Sequence, residues 1–349
     1  MYLFKQKQTE QTYDEEEIEK VFPPKENYSF SKLTKEETKE LFNLLNHYYL
    51  TLREKLNLKP YTTFGLEIEF ENLILKNTKA LIKKSFPTSK WTLRGDTTLK
   101  QGAEVNTPIL RDSIETWQQI EKICKQIKNF AEIGTNSGGH IHIGAQILEG
   151  NLDYWLNFIY LWSIYENIIF RFSYGEFAME RPMLKSHAQP IAKKFDYVYQ
   201  IFSEGKNELD LDDFFNLTAH QKYKPVNFDH IMFPNLFAIN NTIEFRCPNG
   251  TLNPVIWQNN LNLFINLLEY SKSQKFNKDI LDKRKITTKD KYNNLEYYNE
   301  IDINQALELC DLIFKTNKEK LYFLRQYLKS FDTSNKFIKV KEFTKKSRP

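Results

Sequence analysis

Cysteine is scarce in this chain. Only three cysteines, Cys124, Cys247 and Cys310, occur among 349 residues, and they stand far apart. Their spacing lacks the close pairs of a zinc ribbon or of a secreted disulfide scaffold. We therefore expect free thiols and a reducing, cytoplasmic location.

A long hydrophobic run and an export signal are also lacking. The most apolar stretch, residues 154–172, is interrupted by Asn157, Glu166, Asn167 and Arg171, which a bilayer disfavours. The first residues of the chain turn acidic where a signal peptide needs an apolar core. The sequence thus predicts no membrane partner, and residues 154–172 are expected to form a buried helix.

Neither sign of charge dominates. The chain has 49 basic and 45 acidic side chains, mixed along most of its length, for a net charge of +4. A dominant nucleic-acid surface is therefore not indicated.

A Walker-type Gly-Lys-Ser/Thr sequence is missing as well. Its absence excludes the commonest nucleotide-binding loop, in which a helix N-terminus holds the phosphates. ATP is not excluded, because metal ions held by carboxylates on a sheet can bridge phosphates instead.

The length and a hydrophobic content of 41% allow one sizeable core with additions. Residues 1–33 are polar and predict an N-terminal arm that could serve assembly, so a homo-oligomer is one expectation. Residues 34–275 are expected to form the catalytic domain. Residues 276–349 predict a C-terminal helical extension that ends in a basic, solvated tail.

Helical and strand periodicities alternate along the chain. Apolar residues recur at helical spacing in four segments, which are 34–58, 112–130, 153–173 and the residues after Pro254. The period falls to two at several places between residues 64 and 144 and again at 241–247. An α+β fold with a mixed or antiparallel sheet follows, and the polar residues 271–299 are expected to form a surface linker of weak helical character.

The strand FGLEIEF carries two acids on one face. Phe64, Leu66 and Ile68 alternate with Glu67 and Glu69, whose Cα atoms should lie about 6.8 Å apart. Two such carboxylates can hold neighbouring divalent cations. An isolated Glu-x-Glu is more often a solvated strand face, so further ligand residues are needed to support a metal site.

The segment GTNSGGHIHIG places His140 and His142 on one face and Ile141 and Ile143 on the other. The preceding small residues let backbone N–H groups approach a ligand closely. A His-x-His pair is also found in zinc hydrolases, so the ligand stays open at this point.

Two further segments supply polar residues of the same kind. In NNTIEFRCPNG, Glu244 and Arg246 share a strand face before a turn. On their own, the two residues would be a surface ion pair that contributes little to stability. In RGDTTLKQGAEVNTP, Glu104 lies on a probable strand and Asp96 in the preceding turn. Together with Glu67, these residues offer several carboxylate oxygens. Magnesium prefers oxygen ligands and is often bound together with phosphate groups.

Three strand motifs, at residues 67–70, 138–142 and 244–248, resemble, in order, signature strands of glutamine synthetase. The closer resemblance is to the amidoligase family of carboxylate-amine ligases, similar to glutamate-cysteine ligase, and covers residues 61–257. That resemblance implies a glutamine synthetase-like domain, with a mostly antiparallel, curved sheet that forms a half-barrel active site flanked by helices.

The resemblance also implies roles for single residues. It assigns magnesium, as two or more ions replaceable by manganese, to Glu67, Glu69, Glu104, His140 and Glu244. It assigns ATP phosphates to His140, His142 and Arg246, and catalysis to Arg246, Glu244 and Glu104. Asp96 and Arg181 are implied as substrate-binding residues.

Such ligases transfer the ATP γ-phosphoryl group to a carboxylate and let an amine attack the acyl phosphate. The expected partners are therefore ATP and small-molecule or peptide acids and amines, which the sequence does not name. One alternative is a zinc hydrolase that adds His187, His220 or His230 to the His-x-His pair. The other is a non-catalytic nucleotide-binding module of the same fold.

Overall fold

The fold was analysed in a computed structural model. The structure describes residues 28–74, 78–205, 209–220, 222–232, 234–288 and 295–329. The predicted basic tail and most of the predicted N-terminal arm lie outside these ranges.

A single open, antiparallel sheet of six strands, in the order β2-β3-β1-β4-β6-β5, forms the centre of the fold. The strands are β1 (Phe64–Phe70), β2 (Thr92–Arg94), β3 (Ala103–Asn106), β4 (Gly139–Gly144), β5 (Val226–Asn227) and β6 (Thr242–Phe245). Every strand pair is antiparallel. The predicted α+β class with an antiparallel sheet is therefore confirmed.

Helices fill most of the remaining described chain. They are α1 (Lys35–His47), α2 (Thr78–Lys83), α3 (Ile114–Lys128), α4 (Leu152–Ser173), α5 (Leu184–His187), α6 (Ala192–Glu204), α7 (Leu211–Thr218), α8 (Pro254–Ser271), α9 (Lys278–Thr288), α10 (Leu295–Tyr298), α11 (Ile303–Ile313) and α12 (Asn317–Leu328), with short 3₁₀ helices at Phe30–Lys32 and Ala145–Leu148. None of the described helices is both long and apolar enough to cross a bilayer.

One face of the sheet forms the core against α3, α4 and α8. Phe245 on β6 stacks on Phe264 of α8 with ring centroids 4.1 Å apart, and Phe64 on β1 stacks on Trp117 of α3 at 5.7 Å. Residues at every second strand position are buried in this layer, as the two-residue period requires. The intervening residues are thereby directed to the opposite face of the sheet.

The helix predicted for residues 34–58 is shorter in the structure. It begins with a capping box at Thr34 and ends at His47. Beyond it the chain is irregular, and the backbone of Arg53 donates to and accepts from the side chain of Gln258 on α8, at 2.9 and 2.8 Å. These contacts replace further helical turns, so the prediction was wrong beyond residue 47.

The polar residues 271–299 are more firmly held than the expected linker. They contain α9 and α10, and Leu281 and Tyr298 are buried in the hydrophobic core. The hydroxyl of Tyr298 donates to the buried carboxylate of Glu166 on α4 at 2.7 Å. A few apolar contacts thus dock a segment whose overall composition is hydrophilic.

Residues 28–33 are attached to α11 through Asp311. Its carboxylate accepts the backbone N–H groups of Phe30 and Ser31 at 2.9 and 2.8 Å, and the ammonium of Lys320 at 2.8 Å. Burial alone would raise the pKa of Asp311, but the hydrogen bonds from Lys320 and Ser31 prevail and lower it. The ionised form therefore stabilises this contact.

Replacing Asp311 by Asn should cost about 1–3 kcal/mol of unfolding free energy at neutral pH, because charged hydrogen bonds are lost. Since the folded pKa of Asp311 is lowered, its contribution is complete above the unfolded pKa of about 3.9 and is lost as the pH falls through the folded value. The midpoint of urea unfolding should therefore differ between the variant and the wild type at pH 7, and the difference should shrink in acid. The exposed Asp279→Asn serves as control, and equal midpoints at pH 7 would contradict the expectation.

Candidate functional site

The polar face of the sheet gathers the residues that the strand motifs predicted. The strand register places Glu67 opposite His140, Glu69 opposite Glu104 and His142 opposite Glu244. Facing residues in an antiparallel pair have Cβ atoms about 4.5–5.5 Å apart, so side chains from four strands can meet. Residues that are far apart in sequence thus form one continuous polar surface.

Three of these residues form a first cluster, consisting of Glu67, His140 and Glu244. One ligand atom from each lies within 4.8 Å of the others. The Nδ1 atom of His140 is 2.7 Å from Glu67 Oε2 and 3.5 Å from Glu244 Oε1. The side chains of His140 and Glu244 are buried, whereas Glu67 keeps a quarter of its side chain exposed. This cluster could hold a divalent cation with two carboxylates and one imidazole.

A second cluster lies beside the first and consists of Glu69, Asp96 and Glu104. One oxygen from each carboxylate lies within 4.8 Å of the others. Asp96 sits in the turn before β3, and its Oδ1 atom accepts the backbone N–H and the hydroxyl of Thr98, both at 2.7 Å. Asp96 was predicted as a substrate residue, and the structure places it among the candidate metal ligands.

Charge interactions differ between the acids of the two clusters. Burial alone would raise the pKa of Glu67, but hydrogen bonds from His140 and His142 lower it well below its usual range. Burial and the neighbouring charge of Glu67 raise the pKa of Glu104. The ionised form is therefore less favoured at Glu104 than at Glu67.

Arg246 follows β6 and contacts the first cluster directly. Its Nη1 atom is 2.5 Å from Glu244 Oε1, and its Nε atom is buried without a hydrogen-bond partner among the described residues. The other oxygen of Glu244 accepts from Asn227 on β5 at 2.8 Å and lies 3.0 Å from the Nε2 atom of His230. Burial alone would raise the pKa of Glu244, but the hydrogen bond from His230 and the charges of His140 and Arg246 lower it well below its usual range.

Arg181 approaches the second cluster from the chain that follows α4. It is almost fully buried, and its guanidinium donates to the backbone carbonyls of Pro248 and Arg246. Burial lowers the pKa of Arg181, whereas the charge of Glu69 opposes that shift. Arg181 is therefore fixed in place by the backbone and adds positive charge beside Glu69.

The glycines before His140 serve this packing rather than an open ligand approach. A Cβ atom at Gly138 would lie 2.8 Å from a guanidinium nitrogen of Arg181 and 3.2 Å from Glu69 Oε2. A Cβ atom at Gly139 would lie 2.7 Å from the Trp257 ring. The backbone N–H of Gly138 donates to Glu69 instead. The interpretation of these glycines as a ligand-binding loop therefore needs correction.

Two cavities open on the polar face and share Glu67 as a wall residue. The first, called the acidic cavity, has a volume of about 320 Å³ and contains the second cluster together with His140, Arg181 and Arg246. The second, called the isoleucine cavity, has a volume of about 330 Å³ and is lined by Ile109 and Ile239 together with Arg94, His142 and His230. The predicted site residues are thus divided between two adjoining spaces.

His230 and Asn227 are the residues of this site that sequence reasoning missed or left unplaced. His230 stood among three possible zinc ligands, but no spacing selected it. Asn227 lies on a strand of only two residues, which is too short to give a periodic signal. Of the other two histidines, His187 lines the acidic cavity, whereas His220 lines neither cavity.

Comparison with known proteins identifies a family for this chain. A family model described as "putative amidoligase enzyme" matches residues 88–268, somewhat more than half of the chain. No curated protein matches the chain significantly. The matched region contains both histidines of β4 and the second-cluster residues Asp96 and Glu104, and it begins after β1. The chain belongs to the amidoligase family.

Proposed function

We propose that this protein is an ATP- and magnesium-dependent carboxylate-amine ligase that acts through an acyl phosphate in the cytoplasm. The observation that carries the proposal is the pair of adjacent ligand clusters on one face of the sheet. The finer fold assignment, a glutamine synthetase-like domain with a curved half-barrel site, belongs to the same proposal. An open antiparallel sheet with its polar face directed at the site supports it.

The donor set of the clusters suits magnesium or manganese. The two clusters together contain five carboxylates and one imidazole. Magnesium demands oxygen ligands, and zinc sites are usually built from nitrogen and sulfur. Bound cations would also offset the burial and the repulsion from Glu67 that together raise the pKa of Glu104. The residues present therefore fit two hard divalent cations, with Glu67, His140 and Glu244 holding one and Glu69, Asp96 and Glu104 the other.

The isoleucine cavity suits the nucleotide. Ile109 and Ile239 are 47% and 62% exposed and would be covered by an aromatic base. Arg94 and His142 line the same space and can donate hydrogen bonds to phosphate oxygens. A triphosphate that runs from this cavity toward Glu67 would reach the first cluster.

The acidic cavity suits the acid substrate. Its walls combine the second cluster with the positively charged side chains of Arg181 and Arg246, which can attract a substrate carboxylate. Metal ions bound by the second cluster would offset the repulsion from Glu69 and Glu104. His187, Lys222 and Tyr223 form its outer part. These residues come from the loops between 173 and 240, in which we expect the choice of acid and amine to be made.

The reaction requires a carboxylate to become electrophilic. Transfer of the γ-phosphoryl group to a substrate oxygen releases ADP and forms an acyl phosphate, and the attacking amine then displaces phosphate and loses a proton. When bound, the magnesium ions neutralise phosphate charge during this transfer. Arg246 lines the acidic cavity and can stabilise charge on the transferring group, whereas Glu244 fixes the orientation of Arg246.

A zinc hydrolase is less well supported. In the part of the chain that the structure describes, the two clusters contain a single histidine, and no group of three histidines meets the same distance limit. His140, His142 and His230 all lie within 4 Å of Glu244, but their ring nitrogens do not form a group of three within that distance limit. The non-catalytic module is not favoured by any of these contacts, since each predicted metal position carries a competent side chain.

Calorimetry can separate the three functions. ATP is titrated into metal-free protein with magnesium, with zinc and with neither. The ligase requires magnesium-dependent ATP binding, followed by ADP release when acids and hydroxylamine are added, because hydroxylamine converts an acyl phosphate to a stable hydroxamate. ATP binding without ADP release for any acid would favour the module, and tight zinc binding without ATP affinity would favour the hydrolase.

Glu69→Gln should abolish ADP release while leaving the protein folded. The amide can still accept the hydrogen bond from Gly138, but it is a poor magnesium ligand. We expect a loss of activity greater than the roughly 10–100-fold that is typical of residues outside the ligand shell. The exposed Glu121→Gln on α3 is the matched control, and unchanged turnover in Glu69→Gln would refute the assignment.

Arg246→Lys should lower kcat by about 100–1,000-fold with a smaller change in the KM for ATP. Lysine keeps the positive charge, but its compact ammonium lacks the planar, fixed array of donors with which a guanidinium can contact Glu244 and a phosphoryl oxygen at the same time. Steady-state kinetics with the exposed Arg111→Lys as control measures the effect. A raised KM at normal kcat would instead limit Arg246 to substrate binding.

A further inference from the structure

A third glutamate continues the alternation of Glu67 and Glu69. Glu71 follows the last residue of β1, is only 1% exposed, and lines neither of the two cavities. Burial of a carboxylate is costly unless its oxygens are hydrogen-bonded. The partners of Glu71 therefore indicate what its burial achieves.

The two carboxylate oxygens of Glu71 bind two different loops. Oε1 accepts the backbone N–H of Lys100 at 2.6 Å, and Oε2 accepts the backbone N–H of Asn136 at 3.1 Å. Lys100 belongs to the loop between β2 and β3, and Asn136 to the loop before β4. One side chain thus joins two loops that are distant in sequence.

The same junction is closed by further contacts. The side-chain amide of Asn136 donates to the backbone carbonyl of Thr98 at 2.9 Å, which connects the two loops directly. A Cβ atom at Gly134 would lie 1.8 Å from Glu71 Oε2. The second loop can therefore pass over the carboxylate only because residue 134 has no side chain.

Each of the two loops contributes to the second cluster. The first carries Asp96, whose carboxylate is held by Thr98. The second carries Gly138, whose N–H donates to Glu69. Glu71 is thereby connected, through one short loop segment on each side, to two of the three carboxylates that form the second cluster.

We propose that Glu71 is a positioning residue that holds Asp96 and the Gly138 amide in place around the second cation. This inference rests on the proposed function only in that the second cluster binds a metal ion. A positioning role predicts a selective effect, because the first cluster of Glu67, His140 and Glu244 has no described contact with Glu71.

Manganese binding, followed by electron paramagnetic resonance in the absence of ATP, is the test. Wild-type protein should bind two Mn²⁺ ions, and Glu104→Gln should identify the ion of the second cluster. Glu71→Gln keeps one acceptor oxygen but replaces the other by an NH2 group, which cannot accept a backbone N–H. We expect it to weaken the second ion by about 10–100-fold and leave the first unchanged. Activity that is lost at low metal concentration should return at high Mn²⁺.

Three further variants make the test specific. The first is the double variant of Glu71→Gln and Glu104→Gln. Its manganese affinity should be little lower than that of Glu104→Gln alone, because both substitutions act on the same ion. Asn136→Ala keeps the backbone N–H but loses the bond to Thr98, so it should weaken the same ion less strongly, even if Glu71→Gln does not fold. Glu132→Gln is the control, since among the described residues its carboxylate accepts a hydrogen bond from the Asn72 side chain alone, at 2.7 Å, and lines neither cavity.

The outcomes are distinguishable. Equal loss of both ions, or a lowered melting temperature without any loss of manganese affinity, would overturn the positioning role while leaving the ligase proposal intact. Absence of manganese binding by the wild-type protein would overturn both proposals.

Discussion

Repulsion between carboxylates is the physical constraint on which this site depends. The antiparallel sheet directs its apolar residues into the core and leaves Glu67, Glu69, Glu104 and Glu244 together on the opposite face. Carboxylates gathered in this way, each largely withdrawn from water, destabilise one another unless positive charge or hydrogen-bond donors lie close by. The remaining features of the polar face can be understood as ways of meeting that requirement.

The chain meets the requirement differently on the two sides of β1. On the side of β4 and β6, histidines and Arg246 surround Glu67 and Glu244 and keep both carboxylates ionised. On the side of β3, Glu69 receives a backbone N–H and lies beside Arg181, whereas burial and the charge of Glu67 raise the pKa of Glu104. The ionised form of Glu104 is thus stabilised less by the surrounding protein groups than that of Glu67 or Glu244.

Much of this arrangement could be predicted from the sequence, because strand alternation is a local property. The period of two placed Glu67 with Glu69, and His140 with His142, on one face, and the structure confirms both placements. Register and loop contacts were not predictable in the same way. Glu71 continues the alternation after Glu67 and Glu69, but it lines neither cavity and binds two loops instead, which strand periodicity does not predict. His230 reaches Glu244 from an irregular segment that gives no periodic signal.

The wrong predictions have a common physical origin. Residues 48–58 have helical spacing, but the backbone of Arg53 bonds to the side chain of Gln258 on α8, and the backbone N–H groups of Leu56 and Leu58 donate to Asp112. Residues 271–299 have a linker-like composition, but a few buried apolar side chains dock them to the core. In both cases the deciding interactions are made with residues distant in sequence, whose positions a local pattern cannot give.

The division between the two cavities suggests why Glu67 is central. It is a wall residue of both spaces and contacts both histidines of β4, so a change in its orientation would alter both cavities together. Arg246, which lines the acidic cavity, is anchored to Glu244, and Glu244 in turn contacts His140. Under the ligase function that we propose, phosphoryl transfer between the two cavities would take place beside the first cluster. The second cluster and the loops joined by Glu71 would then position the acceptor carboxylate, and substitutions in these loops would alter acid binding more than they alter the sheet.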